Sequence, residues 1–313
     1  MNSPRNPDDR GLTQIRVGIV SKTFFYVPLW LGIEQGVFAK HGLDVKLSIL
    51  GNASQVEPLL QGDLDFAIAT PESIMQNVSD DGPLRIIAGN TGKLSHSLIT
   101  RKPFKKIDDL RGATLGVLNL SEGSFFQMQE LMAHHGLHYP DDYFVKEMGG
   151  VPPRHHALLS GEIDAGLQSI PWNYVAEDEG LNNLGEITQY VPDWQFVSIN
   201  TNLDWAKANE DTTVRFLSAL LKSTAIVYRD ETTASAVASR ELPTSLPYAK
   251  RAWQYYTSTN TLTEDLSINH AGLRKILDTQ IKAGFINAKA SMNPDTYIEP
   301  SFLSQAWQLG QKD

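Results

Sequence analysis

The chain has 313 residues, 41% hydrophobic and 20% charged, with 27 basic against 36 acidic side chains and a formal net charge of −9. It contains no cysteine, which excludes disulfides, thiolate nucleophiles, iron–sulfur clusters and cysteine-bound zinc. No Lys/Arg-rich run offsets the acidic balance, so no nucleic acid is expected as a partner, and the longest strongly apolar run, 24–33, is interrupted by Pro28 and too short to span a bilayer.

In chain order, residues 1–14 form a polar tail without the apolar segment and cleavage site of a secretory leader. Two locations follow as expectations: cytoplasmic if the chain is complete as given, periplasmic if a leader preceded Met1. Residues 15–20 predict a strand. A helix follows from Pro28, with Leu29, Ile33, Val37 and Phe38 near one face and Gly42 as its stop. Strands at 45–50 and 64–70 then alternate with helices at 54–61 and 71–77, the pattern of βα units around a largely parallel sheet.

The same order returns later in the chain. Val17-Gly18-Ile19-Val20 is echoed by Leu115-Gly116-Val117-Leu118, and His41-Gly42-Leu43 by His135-Gly136-Leu137. Leu59-Leu60-Gln61-Gly62-Asp63-Leu64-Asp65 recurs as Leu158-Leu159-Ser160-Gly161-Glu162-Ile163-Asp164. Matching order at nearly constant spacing predicts an α/β fold of two similar βα lobes joined by two hinge strands. The strand-like run 97–101 leaves the first lobe and 193–200 returns to it. Lobe 1 is therefore expected over 15–100 plus 200–305, lobe 2 over 105–192, and a C-terminal tail over 306–313. The segments 214–228 and 273–283 are the clearest helices of the last third.

In open α/β sheets, ligands sit beyond the carboxyl ends of strands, where helix N-termini present free N–H groups to anions. That rule selects Ser21, Thr23, Phe24 and Phe25 after the first strand, Asn52 after the second, Thr70 and Pro71 after the third, and Ser121 and Ser124 in lobe 2. Gln168 and Trp172 complete the set from lobe 2, and His96 lies near the first hinge with Lys93 close by. Ser121-Glu122-Gly123-Ser124 offers hydroxyls and a flexible glycine at a helix start, suited to a carboxylate or sulfonate; an ordinary N-cap is the competing explanation.

Other motifs fail on spacing. Two residues separate Gly89 and Gly92 before Lys93, where a phosphate loop needs four. His134 and His138 have metal-ligand spacing, but Gly136 and Pro140 end the helix around them, so no metal is expected. His155-His156 beside Pro152-Pro153 is expected at the surface, and Asp63 with Asp65 marks a turn rather than an acid–base pair.

The segment from Val27 to Val45 (VPLWLGIEQGVFAKHGLDV) resembles the opening of the solute-binding proteins for sulfonates, taurine, nitrate and thiamine-type pyrimidines. Segments 61–70, 107–112, 158–168, 280–285 and 298–303 extend the resemblance over nearly the whole chain after the tail. It implies the type 2 periplasmic-binding-protein fold, a small organic ligand, anionic or aromatic, in an interlobe cleft that closes by hinge motion, and an ABC permease as partner of a monomeric protein without cofactor. The alternative is a cytoplasmic enzyme on the same fold, a decarboxylase or lyase acting on an aromatic or heteroaromatic acid with His96 as proton donor or charge stabiliser. The related pyrimidine synthases carry a cysteine-rich iron-binding segment that is absent here, and Thr23 stands where the sulfinate desulfinases need a nucleophilic cysteine.

Overall fold

The computed structural model describes residues 11–310. Its strands are β1 (Thr13–Ile19), β2 (Leu43–Ile49), β3 (Phe66–Ala69), β4 (Leu84–Thr91), β5 (His96–Thr100), β6 (Thr114–Val117), β7 (Phe144–Glu147), β8 (Ala165–Ser169), β9 (Asn182–Glu186) and β10 (Val197–Asn202). They form two five-stranded sheets in the orders β2-β1-β3-β10-β4 and β7-β6-β8-β5-β9. In the first, β1 runs parallel to β2 and β3 while β10 is antiparallel to β3 and β4. The second repeats the design, with β6 parallel to β7 and β8 and β5 antiparallel to β8 and β9. In each sheet the antiparallel strand is the one that arrives from the other lobe.

The Leu-Leu-x-Gly-x-x-Asp repeat has a physical role common to both lobes. Its glycines, Gly62 and Gly161, end helices in the left-handed region at φ 74° and 80°. Its last aspartates then accept a backbone N–H of the neighbouring strand: Asp65 from Arg16 at 2.8 Å and Asp164 from Thr114 at 2.9 Å. Each carboxylate also holds an arginine, Arg16 or Arg101. Asp65 is thus spent on register, not on catalysis.

Several expected boundaries move. The sheets divide at 92–95, not at residue 100: Leu98 and Ile99 are fully buried in β5, between β8 and β9. A strand enclosed on both sides belongs to the sheet that encloses it. The helix expected from Pro28 to Gly42 is split into Val27–Glu34 and Val37–Lys40, because Gly36 takes φ 67° between them. The return strand begins at Val197, not Asp193.

The terminal segments are also shorter than expected as tails. Buried Thr13 already pairs with Leu43 in β1, and residues 1–10 lie outside the described residues. Ala306 is fully buried in a helix, Ser301–Gly310, packed on Glu210–Arg229, so a tail from 306 is not what forms; 311–313 are outside the described residues. The helix Glu210–Arg229 packs in turn on Val27–Glu34 and β2, placing the C-terminal third on the first lobe.

Candidate functional site

A small interlobe cavity of about 40 Å3 lies where the carboxyl ends of both parallel sets meet. From the first lobe come Val20, Ser21, Phe25, Tyr26 and Thr70; from the second, His96, Leu118, Ser124, Gly150, Val151 and Arg154; from the returning segment, Phe196 and Val197. Its walls are close together. A β-carbon added to Gly150 would stand 2.6 Å from Ser21 Oγ, so the glycine permits the approach of the lobes.

Among the sequence candidates, Ser21, Phe25, Thr70, His96 and Ser124 line this cavity. Phe24 does not: it stacks on Tyr256 with centroids 5.0 Å apart and planes 17° off parallel, as core packing. Thr23, Gln168 and Trp172 are buried outside the lining, and Thr23 Oγ1, both amide atoms of Gln168 and Trp172 Nε1 have no hydrogen-bond partner. Asn52 is exposed and its carbonyl accepts from Asn119 of the second lobe at 3.3 Å. Pro71 precedes the helix Glu72–Ser79, and Ser121 is turned back on Asn119 Oδ1 by its N–H and its hydroxyl, both at 3.0 Å. Lys93 points away to the carbonyl of Thr259.

The cation of the site is one that sequence reasoning missed. Arg154 is 2% exposed, in the first turn of the helix Val151–Ser160. Its Nη1 donates to the Gly149 carbonyl at 2.7 Å, and Nε and Nη2 donate to the Leu167 carbonyl at 3.2 and 3.0 Å. With five N–H donors on a guanidinium, these contacts leave one N–H on each terminal nitrogen. No ion pair to Arg154 occurs among the described residues. Burial lowers its pKa to about 10, so it remains a cation at neutral pH. A signal was available: an arginine in the first turn opposes the helix dipole, and here it follows Gly149-Gly150 at a strand end.

His96 lies edge-on to Phe196 with centroids 4.6 Å apart, and its Nδ1 has no partner. Burial, reinforced by the positive charge of Arg154, pushes its pKa down to about 3. It is a neutral imidazole at physiological pH, so a proton donor or charge stabiliser at this position would act through a neutral ring N–H. His155, expected at the surface, is 2% exposed; its ring lies 5.0 Å from that of Trp172 and its Nε2 is 2.8 Å from Glu179.

The helix start at Ser121–Ser124 also differs from expectation. Ser124 Oγ accepts the Leu118 N–H at 2.7 Å, and Glu72 from the first lobe lies against the first turn: a β-carbon on Gly123 would stand 2.6 Å from Glu72 Oε1. A carboxyl group of the protein itself occupies the position expected for a ligand anion.

A family model described as NMT1/THI5 like matches residues 24–234. A protein of Brucella abortus (strain 2308) named as a candidate binding protein is 32% identical over 104 residues, 33% of this chain and 32% of the relative, so the match spans about a third of the relative's length. Among solved structures, the periplasmic nitrate-binding protein NrtA from Synechocystis PCC 6803 has a TM-score of 0.79 at 13% identity, covering 97% of this chain and 90% of that one. The ligand-binding component of an ABC-type import system from Staphylococcus aureus, with zinc bound, has a TM-score of 0.77 at 16% identity, covering 94% and 98%. These structures share the fold of two α/β lobes around a cleft. With two thirds of its length under the family model, the chain belongs to the NMT1/THI5-like family.

Proposed function

We propose that the protein is the solute-binding component of an ABC-type importer and closes its lobes on a small anionic organic molecule. The observation that carries the anionic assignment is Arg154, a buried guanidinium on the cavity whose hydrogen bonds go only to backbone carbonyls. A buried charge without a counter-ion is costly, and an oxyanion bridging its free N–H groups would supply both charge and hydrogen bonds. Phe25, Phe196 and Val151 would cover the apolar part of the ligand, while Ser21, Thr70, Ser124 and neutral His96 offer polar contacts. The named functions of the structural relatives, nitrate binding and ABC-type import, support the same role. In that role a membrane permease is the partner and the working location is outside the cytoplasmic membrane.

The test is a thermal-shift screen of sulfonates, aromatic and aliphatic carboxylates, nitrate and uncharged pyrimidines, with titration calorimetry and mass spectrometry of every hit. Anionic hits recovered unchanged, and lost in Arg154→Gln, are the expected result. Tight binding confined to uncharged or cationic compounds overturns the anionic assignment, and catalytic conversion of a hit overturns the transport role.

A further inference from the structure

Glu72 and Glu122 come from different lobes and are both buried, 0% and 4% exposed. Glu72 opens the helix Glu72–Ser79 of the first lobe; Glu122 directly precedes the helix Gly123–His134 of the second. Thr70, on the cavity wall, donates its hydroxyl to Glu122. Glu72 Oε1 accepts the indole N–H of Trp194 at 2.9 Å, and Trp194 belongs to the second crossing between the lobes. Glu72 Oε2 has no well-formed hydrogen bond, and neither amide atom of fully buried Gln127 has a partner. The interface therefore brings two buried carboxyls together; Thr70 and Ser73 serve Glu122, while Glu72 Oε2 is left without a donor.

Among the described residues, neighbouring elements supply no cation to compensate. On the helix His270–Lys282, Lys275 is held by Glu130 and Lys282 by Asp278; His270 is near Asp295, and Arg274 borders an outer groove. In β4, Arg85 turns back to the carbonyls of Gly82 and Leu84. Tyr297 reaches Ser79, at the opposite end of the Glu72 helix, and Glu57 of Val56–Gln61 is engaged by Gln61. β6, packed on the Glu122 helix, has no titratable side chain. Glu72 faces Glu122, and Glu122 faces Thr70 and Ser73.

We propose that closing the lobes takes up protons at the Glu72–Glu122 pair, so that acid favours the closed form and alkali opens it. Separating the lobes would hydrate both groups and return them to the ordinary carboxylate range near 4. Within the closed form, burial first and then the charge of Glu122 raise Glu72 to about 8, and burial raises Glu122 to about 7. The sign follows: closure is favoured most below the open-state range, weakens as pH rises towards the closed-state values, and levels off above about 8. Each proton taken up changes the closed-to-open ratio by about tenfold per pH unit inside that window.

The absence of cysteine from the 313-residue chain allows a clean probe without ligand: Ser48→Cys in the first lobe and Asp141→Cys in the second, labelled as an energy-transfer donor and acceptor. Transfer efficiency at pH 5 should report a larger closed fraction than at pH 8, reversibly. Glu72→Gln/Glu122→Gln, a neutral isostere that retains acceptors for Trp194 and Thr70, should hold the pH 5 level at pH 8; either single substitution should halve the pH dependence and serves where the double variant is unstable. A pH-independent parent, or a double variant with the parent's full pH response, overturns the proposal. Neither readout depends on the identity of the solute, so failure of the anion screen and failure of this test are separate results.

Discussion

Lys275 Nζ lies 2.9 Å from Glu130 Oε2, joining the helix His270–Lys282, packed on the first lobe, to the helix Gly123–His134 of the second. Thr279, one turn further along, donates to the other oxygen of the same carboxylate at 2.7 Å. The three groups form a latch across the cleft, away from the cavity. Glu130→Gln should weaken ligand binding about fivefold, in line with about 1 kcal/mol for a partly exposed pair. Calorimetry with an anionic hit measures it, and an unchanged Kd would show that the latch does not hold the closed form.

Arg154→Gln should reduce affinity for the same anion by at least about tenfold, since charge-assisted hydrogen bonds contribute about 1.5–3 kcal/mol. Gln keeps a donor for the Gly149 or Leu167 carbonyl, so the fold should survive. Equal affinity in parent and variant would remove Arg154 from the site.

His96 is held neutral by burial, and the sign of its pH effect is opposite to that of the carboxyl pair. A base whose folded pKa is lowered to about 3 contributes stability that is present above its unfolded value of 6.5 and is lost as pH falls towards 3. At pH 5 that loss is about 2 kcal/mol. Thermal unfolding of His96→Gln should therefore lose less between pH 7 and pH 5 than the parent. Matching slopes would mean that His96 titrates normally.

Gly272 sits where the last long helix approaches the second crossing. A β-carbon there would stand 2.2 Å from the backbone nitrogen of Gln195 and 2.5 Å from the carbonyl carbon of Trp194. Backbone cannot yield as a side chain can, so Gly272→Ala should destabilise by about 1–3 kcal/mol. Urea unfolding reads the effect; a shift under about 0.5 kcal/mol, the range of neutral surface changes, would contradict the packing described.

The architecture was legible in local patterns. Alternating βα periodicity and the repeated Leu-Leu-x-Gly-x-x-Asp turn are short-range signals, and the turn's glycines and aspartates perform the same backbone tasks in both lobes. Ser21, Phe25, Thr70 and Ser124 reach the cavity because strand ends and helix starts position side chains at the mouth of any such sheet.

Other features depend on contacts between parts of the chain far apart in sequence. The assignment of His96–Thr100 to the second sheet rests on pairing with β8 and β9. Whether Phe24 or Phe25 faces the cavity is decided by Tyr256, which stacks on the first and leaves the second against Phe196. Sequence alone determined two βα lobes, the absence of thiols and the strand ends as the candidate site. Only the tertiary structure decided that Arg154 is the buried cation and that Glu72 and Glu122 face each other, because charge and hydration depend on which distant groups exclude water from a side chain.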